Sequence, residues 1–200
     1  LKALSLYAAW PSSESSPAMS ITTKTGDTGE TGLLFSKRAS KSDPRIVACG
    51  DVDELSAAIG LAKAHLKDSP LHSRLETIQN SLIALMGELA TLPEDETQYR
   101  SSAFDKLTPA DSEQLESWIG ELESSGLTFK GWALPGGSVA SAHLDFARTV
   151  CRRAERTVVG FLKTENNVPS NAVVYLNRLS DLLWLMARSV DHPPSSAQLA

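Results

Sequence analysis

Apolar residues along this chain recur mostly at helical spacing. Ile46, Val47, Val52, Leu55, Ile59 and Ala62 follow Pro44 in this way, and the pattern ends near Leu66. Proline suits the first turn of a helix, where the N–H it lacks would go unpaired anyway. Pro70 opens a second run, through Leu71, Leu75, Ile78, Leu82, Leu85, Met86 and Leu89. Thr108 reads as an N-cap with Pro109 at the first helical position, leading into Leu115, Trp118, Ile119 and Leu122. Ser138 caps a fourth helix that runs to about Lys163, and residues 166–169 break it. The fifth carries Val173, Val174, Leu176, Leu179, Leu182, Leu183, Leu185 and Met186 and stops before Pro193-Pro194. Residues 93–106 are polar and aperiodic and predict a long loop. Residues 21–43, rich in Gly, Thr, Ser and Lys, predict an ordered loop or short strand pieces. Five helices with mostly short connections predict an all-α five-helix bundle behind an N-terminal glycine-rich loop.

Composition narrows the class. Two hundred residues at 42% hydrophobic suit one domain with a sizeable core. A net charge of -5 argues against nucleic acid as a partner. No apolar run approaches the ~20 residues that a membrane span needs. Cys49 and Cys151 lack C-x-x-C or metal-ligand spacing, which predicts reduced, buried thiols in a cytoplasmic protein. Residues 1–20 are expected to be a disordered leader or extension. The first eighteen are Ser/Ala/Pro-rich, carry only Lys2 and Glu14 as charges, and precede Met19, which suggests a translation start there. Residues 21–191 then form the domain and 192–200 a C-terminal tail.

Chemistry concentrates in Arg148-Thr-Val-Cys-Arg152-Arg153-Ala-Glu155-Arg156. At ~100° per residue, Arg148, Arg152, Glu155 and Arg156 share one broad helical face. Leu144, Cys151, Ala154 and Val158 form a core-facing stripe beside it, and Arg153 points furthest from Arg148. Arginine keeps its charge and grips phosphate through a rigid fork, although a solvated, ion-paired face would carry the same residues. Upstream, Thr22-Thr23-Lys24-Thr25-Gly26-Asp27-Thr28-Gly29-Glu30-Thr31-Gly32 has three glycines three apart, with a lysine and hydroxyls suited to phosphate oxygens. It is not a Walker A sequence, and alone it also reads as a flexible loop. Lys41-Ser42-Asp43-Pro44-Arg45 places two cations at a helix start, or simply a cap at Asp43. Asp53, on that helix, could pair with an arginine of a neighbouring subunit. Asn177 and Asp181, four apart on the fifth helix, stack on one face, as packing groups or ligand contacts. Trp132, just before Pro135-Gly136-Gly137, could line a flat apolar ligand or plug the core. His65, His72, His143 and His192 fit no hydrolase or zinc pattern. Phosphate binders without a general base or protein nucleophile suggest a substrate that brings its own nucleophile and a polyphosphate that leaves.

These segments together resemble the propanediol-utilisation type of ATP:cob(I)alamin adenosyltransferase, the corrinoid adenosyltransferases. The matching stretches are Thr23 to Gly29, Lys41 to Arg45, Val52-Asp53-Glu54-Leu55, Leu134-Pro135-Gly136-Gly137, Ala147-Arg148 through Arg156, and Asn177-Arg178-Leu179-Ser180-Asp181. The resemblance implies a transferase that assembles as a homotrimer with active sites between subunits. ATP would be held by Thr23, Lys24, Thr25, Gly26, Thr31, Gly32, Lys41, Arg152, Arg153, Glu155, Arg156 and Asn177. Arg148, Arg152 and Asp53 would serve catalysis, Arg148 and Asp53 through an inter-subunit ion pair. Trp132 and Asp181 would lie on the corrinoid side, and Mg²⁺ would ride mainly on the ATP phosphates. Cobalt(I) of the reduced cobalamin would attack the 5′-carbon of ATP and expel triphosphate, giving adenosylcobalamin. A cobalamin reductase or an adenosylcobalamin-dependent enzyme is an implied partner. The alternative on the same fold is a non-catalytic ATP-binding regulator or corrinoid carrier. Three positions depart from the family's habit: Cys49 replaces tyrosine, Asp145 histidine and Ser36 glycine.

Overall fold

Several helix starts in this chain are set by side chains that satisfy otherwise unpaired amides. In the computed structural model, which describes residues 22, 24–127, 132–168 and 170–192, helix α1 spans Pro44–Ala64 and Asp43 caps it by accepting from the Arg45 amide at 2.8 Å. Helix α2 spans Leu71–Leu89. A short helix α3, Glu96–Ser101, precedes α4, Pro109–Ser124. Thr108 opens α4, its amide and hydroxyl donating to Asp111 at 2.9 and 2.8 Å. Helix α5 spans Val139–Thr164, begun by reciprocal bonds between Ser138 and Ser141, and α6 spans Asn171–Asp191 behind Ser170.

The five long helices match the five read from periodicity, each start within about two residues. One feature differs. Residues 93–106 are not a plain loop: a 3-10 turn, Pro93–Asp95, runs into α3, and Tyr99 is buried. Its hydroxyl lies 3.0 Å from the Asp105 carbonyl and 3.3 Å from that of Ala84. One apolar anchor in a polar stretch leaves no period to detect, so the helix could not be seen in sequence. The short strand pieces expected within residues 21–43 are a two-stranded antiparallel hairpin, β1 Glu30–Gly32 and β2 Arg38–Ser40, with Thr31 opposite Ala39. The proposed leader at 1–20 lies outside the described residues, as does the tail beyond His192.

Helix α5 is the hub, packed against both α1 and α6, while α1 also packs on α2 and α6 on α4. Leu144, Cys151, Ala154 and Val158 are fully buried, so the stripe read from the sequence does face the core. Helices α1 and α5 run antiparallel. Arg45 meets Glu165 at one end, Thr157 donates to Asp51 at 2.6 Å midway, and His65 stacks on His143 at 5.2 Å at the other end. No helix of the described residues is long and apolar enough to cross a membrane.

Candidate functional site

Burial of the α5 stripe decides where the arginines go. Arg152 and Arg156, one turn apart, are exposed and make no hydrogen bond or ion pair among the described residues. Arg153 is turned toward α1, where it pairs with Glu54 and reaches Asp51 at 4.0 Å. Arg148 is half-buried, its Nε 3.3 Å from Asp145 Oδ1. The run of cations is therefore divided: Arg148 and Arg153 are engaged within the chain, and Arg152 and Arg156 stay open.

Beside the open pair, Asn177 on α6 donates from Nδ2 to Glu155 Oε1 at 3.3 Å. Its Oδ1 accepts from Arg178 at 3.1 Å, and Arg178 in turn bonds Glu116 on α4 at 2.8 Å. A mid-helix asparagine, a poor helix former, is thus the centre of a polar strut across α5, α6 and α4. Asp181, one turn further along α6, is exposed, and so is Asp53 on α1.

The glycine loop is folded on its hairpin. The Gly29 amide donates to the Gly26 carbonyl at 3.3 Å, and the Lys41 amide to the Gly29 carbonyl at 2.8 Å. Arg38 ties it down, donating to the Thr25 carbonyl at 2.8 Å and to Glu30 at 3.0 Å. A Cβ on Gly26 would stand 3.3 Å from Lys41 Nζ, so glycine there admits the ammonium against the backbone. Thr25, Gly26, Thr31, Gly32 and Lys41 are thus gathered around one turn, with Lys24 at its start; Thr23 lies outside the described residues.

The end of the loop and the open arginines lie at different levels along α5. Arg45 fixes the start of α1 beside Glu165, and Lys41 precedes it. At 1.5 Å per residue, Arg156 lies about 14 Å along α5 from Glu165, and Arg152 about 20 Å. Arg45 also corrects the reading of residues 41–45 as a pair of cations offered to an anion. It is 7% exposed and donates to the Leu89 and Thr91 carbonyls at 2.9 and 2.6 Å, with Phe161 beneath its guanidinium at 4.6 Å. Asp43 caps, Arg45 bolts α1 to α2 and α5, and Lys41 remains exposed.

Trp132 is 98% exposed, with Leu134 also exposed, so the core-plug reading of Trp132 fails. Downstream, a Cβ on Gly137 would stand 2.5 Å from Asp191 Oδ1. Asp191 belongs to a buried group with Arg188 and Asp145. Sequence reasoning missed this group because its members lie 43 residues apart on two helices, and only the replacement at Asp145 hinted at it. A cleft of about 760 Å³ at the other end of α5, among Arg45, Glu88, Tyr99 and Glu165, contains none of the expected site residues. Burial there raises the Glu88 carboxyl above its usual range, against the opposing effect of the Leu107 amide. Cys49 and Cys151 are buried, and desolvation pushes the Cys49 thiol up to about 12 and raises Cys151 likewise. Neither is a nucleophile.

Residues 21–190 match the family described as cobalamin adenosyltransferase. The corrinoid adenosyltransferase PduO of Citrobacter freundii is 40% identical over 177 residues; the alignment covers 87% of this chain but only 50% of that relative, about half its length. A corrinoid adenosyltransferase of Mycobacterium leprae (strain TN) is 39% identical over 170 residues, covering 84% of this chain and 89% of the relative. Among solved structures, a variant PduO-type ATP:corrinoid adenosyltransferase from Lactobacillus reuteri, complexed with cobalamin and ATP, superposes with a TM-score of 0.75 at 34% identity, covering 86% of this chain and 91% of that one.

Proposed function

Because this chain belongs to the cobalamin adenosyltransferase family, we propose that it transfers the 5′-deoxyadenosyl group of ATP to the cobalt of a reduced corrinoid, releasing triphosphate. The observation that carries this reading is the open pair Arg152 and Arg156, exposed one helical turn apart and without an ion pair among the described residues, where the nearby Arg148 and Arg153 are engaged. Two permanent forks at that spacing suit successive phosphate groups. Cobalt(I) supplies the electron pair that forms the new bond to the 5′-carbon, and the departing triphosphate takes the electrons of the broken C–O bond. The chain then needs no general base. Its task is to neutralise charge building on the leaving group, which falls to Arg152, Arg156, Lys24 and Lys41.

The separation of loop and arginines along α5 supports a site completed by two subunits, in a homotrimer, with the loop of one chain over the arginines of the next. Thr23, Thr25, Gly26, Thr31 and Gly32 line the loop side. Asn177 and Glu155 frame the arginine side, and Arg153 holds that frame to α1. Arg148 and Asp53 face each other across the interface. Trp132, bare on a single chain, covers the corrin face with Asp181 at its border. Among the described residues no group of three or more His, Cys, Asp or Glu side chains could hold a metal. Mg²⁺, when bound, would be held mainly by the triphosphate oxygens and would add to charge neutralisation.

The test is to mix the protein with ATP, Mg²⁺ and chemically reduced cobalamin, follow the loss of cobalt(I) absorption, and identify both products. Arg152→Ala should keep its fold and lose roughly hundredfold in turnover, the usual loss for one leaving-group donor. Absence of adenosylcobalamin and triphosphate with the unaltered protein overturns the proposal; binding of both substrates without turnover would make the chain a carrier.

A further inference from the structure

Helix α5 carries one buried carboxylate, Asp145, 3% exposed and opposite Arg188 of α6, which is 2% exposed. Asp145 Oδ2 accepts from Arg188 Nη2, and its Oδ1 lies 3.3 Å from Arg148 Nε. Arg188 Nη2 also lies 3.6 Å from Asp191 Oδ2, with Trp184 beside the guanidinium. The second oxygen of Asp191 is buried without a hydrogen-bond partner, and it is the atom a Cβ on Gly137 would strike at 2.5 Å. We infer that Asp145, Arg188 and Asp191 are positioning residues: one buried chain of charges that sets both the direction of Arg148 and the seat of the turn presenting Trp132. This deepens the reading above, on which it rests for the identity of the ligand.

The geometry argues for orientation rather than for stability alone. Two carboxylates and two guanidiniums balance, yet apolar residues of the same volume would stabilise a core as well, since desolvation offsets most of the attraction of a buried pair. Asp145 and Arg188 join α5 to the C-terminal end of α6, and Asp191 at that end lies against the glycine turn that leads into α5. Arg148 is gripped at Nε, the root of its fork, which fixes the plane of the group while its two terminal nitrogens make no bond in the described residues. Asp191 takes the space that a Cβ at Gly137 would need, and the neighbouring Gly136, at a φ of 106°, also favours glycine. A shift of Asp145 is therefore passed to Arg148 directly and to the Trp132 turn through Arg188 and Asp191. The phosphate-binding arginines, Arg152 and Arg156, have no bond to this chain.

The test compares the unaltered protein with Asp145→Asn, Asp145→Glu and Gly137→Ala. Affinities for ATP and for cobalamin are measured separately at equilibrium, and the side chain of Trp132 is followed by 19F resonance after fluorotryptophan incorporation, assigned by Trp132→Phe. Misplacement of a positioned group predicts that Asp145→Asn weakens cobalamin binding roughly tenfold and moves the Trp132 resonance, with ATP affinity held within about twofold. Gly137→Ala, on the exposed turn, should reproduce both effects, and Asp145→Glu should restore most of the loss. Equal loss of both affinities would mean general loosening and overturn the inference; so would an unmoved Trp132 resonance in Gly137→Ala, whether or not Asp145→Asn folds. Failure of the unaltered protein to bind cobalamin would instead strike the proposed function, leaving the resonance to decide on the network.

Discussion

Replacing Arg45 by methionine tests whether the buried guanidinium, and not the helix cap beside it, locks the loop end of the bundle. Methionine fills most of the volume and keeps the contact with Phe161. What it removes is two charge-assisted hydrogen bonds, to the Leu89 and Thr91 carbonyls at 2.9 and 2.6 Å, and the cation over the Phe161 ring at 4.6 Å. Charged hydrogen bonds contribute about 1.5–3 kcal/mol each, and two buried acceptors would lose their donor. A desolvated cation–π contact adds about 1–2 kcal/mol. The pair with Glu165, itself one-third exposed, adds little. Methionine's apolar burial and the cation's lost desolvation cost offset part of this, which leaves a net loss of about 3–5 kcal/mol. For a domain of this size each kcal/mol moves the melting temperature by about 2–4 °C, so the melt should fall by about 6–20 °C. Thermal and urea unfolding followed by helical circular dichroism measure it. Arg45→Lys should fall between, since one ammonium cannot span both carbonyls and stack on the ring. A methionine variant within about 1 kcal/mol of the unaltered protein would refute the assignment of Arg45 as the bolt, because that is the scale of an ordinary surface change.

Two other consequences can be checked without substrate. Cys49 holds its proton more tightly when folded than at the ordinary 9.0, so its stabilisation is complete below pH 9 and is lost as pH rises toward about 12. Each such thiol should lower stability by about 1.4 kcal/mol per pH unit across that window, and thiol reagents at neutral pH should label neither cysteine until the protein is denatured; rapid labelling of the native protein would contradict the burial argument. Gly87→Ala would put a Cβ 2.9 Å from Tyr99 Oη and push the ring from its carbonyl partners. It should cost about 1–3 kcal/mol, and Tyr99→Phe, which trims that oxygen, should make the alanine better tolerated; equal costs in both backgrounds would disprove the contact.

Much of this molecule could be read in one dimension because its information is periodic. Ser138, Ser170 and Asp43 cap helices by bonds within a few residues, and the α5 stripe repeats every three or four, so both are local in sequence. The arginine run was legible as a feature but not in its division. Which of four neighbouring cations stays free depends on Glu54 and Asp51, a hundred residues earlier. Arg45 read as one of two cations at a helix start because Lys41 stands beside it in sequence, whereas its fate was fixed by carbonyls at the end of α2. The pairing of Asp145 with Arg188, 43 residues away, was invisible for the same reason, and the helix around Tyr99 was invisible because a single apolar anchor leaves no period. The Ser36 replacement has a local meaning that only backbone angles reveal, since φ is 62° there and glycine would hold that conformation without strain.

The division of the arginines has a consequence for how this helix can change. The clamp through Arg153 and the open pair of Arg152 and Arg156 are adjacent in the chain and differ only in azimuth. A single residue inserted ahead of Arg152 would turn everything after it by about 100°. The fork meant for solvent would then swing toward a neighbouring helix, while the clamping arginine lost Glu54. A substitution in this stretch alters one side chain and leaves the rest in phase, but its length cannot vary, because two devices share one screw thread and keep their separate duties only by staying in phase.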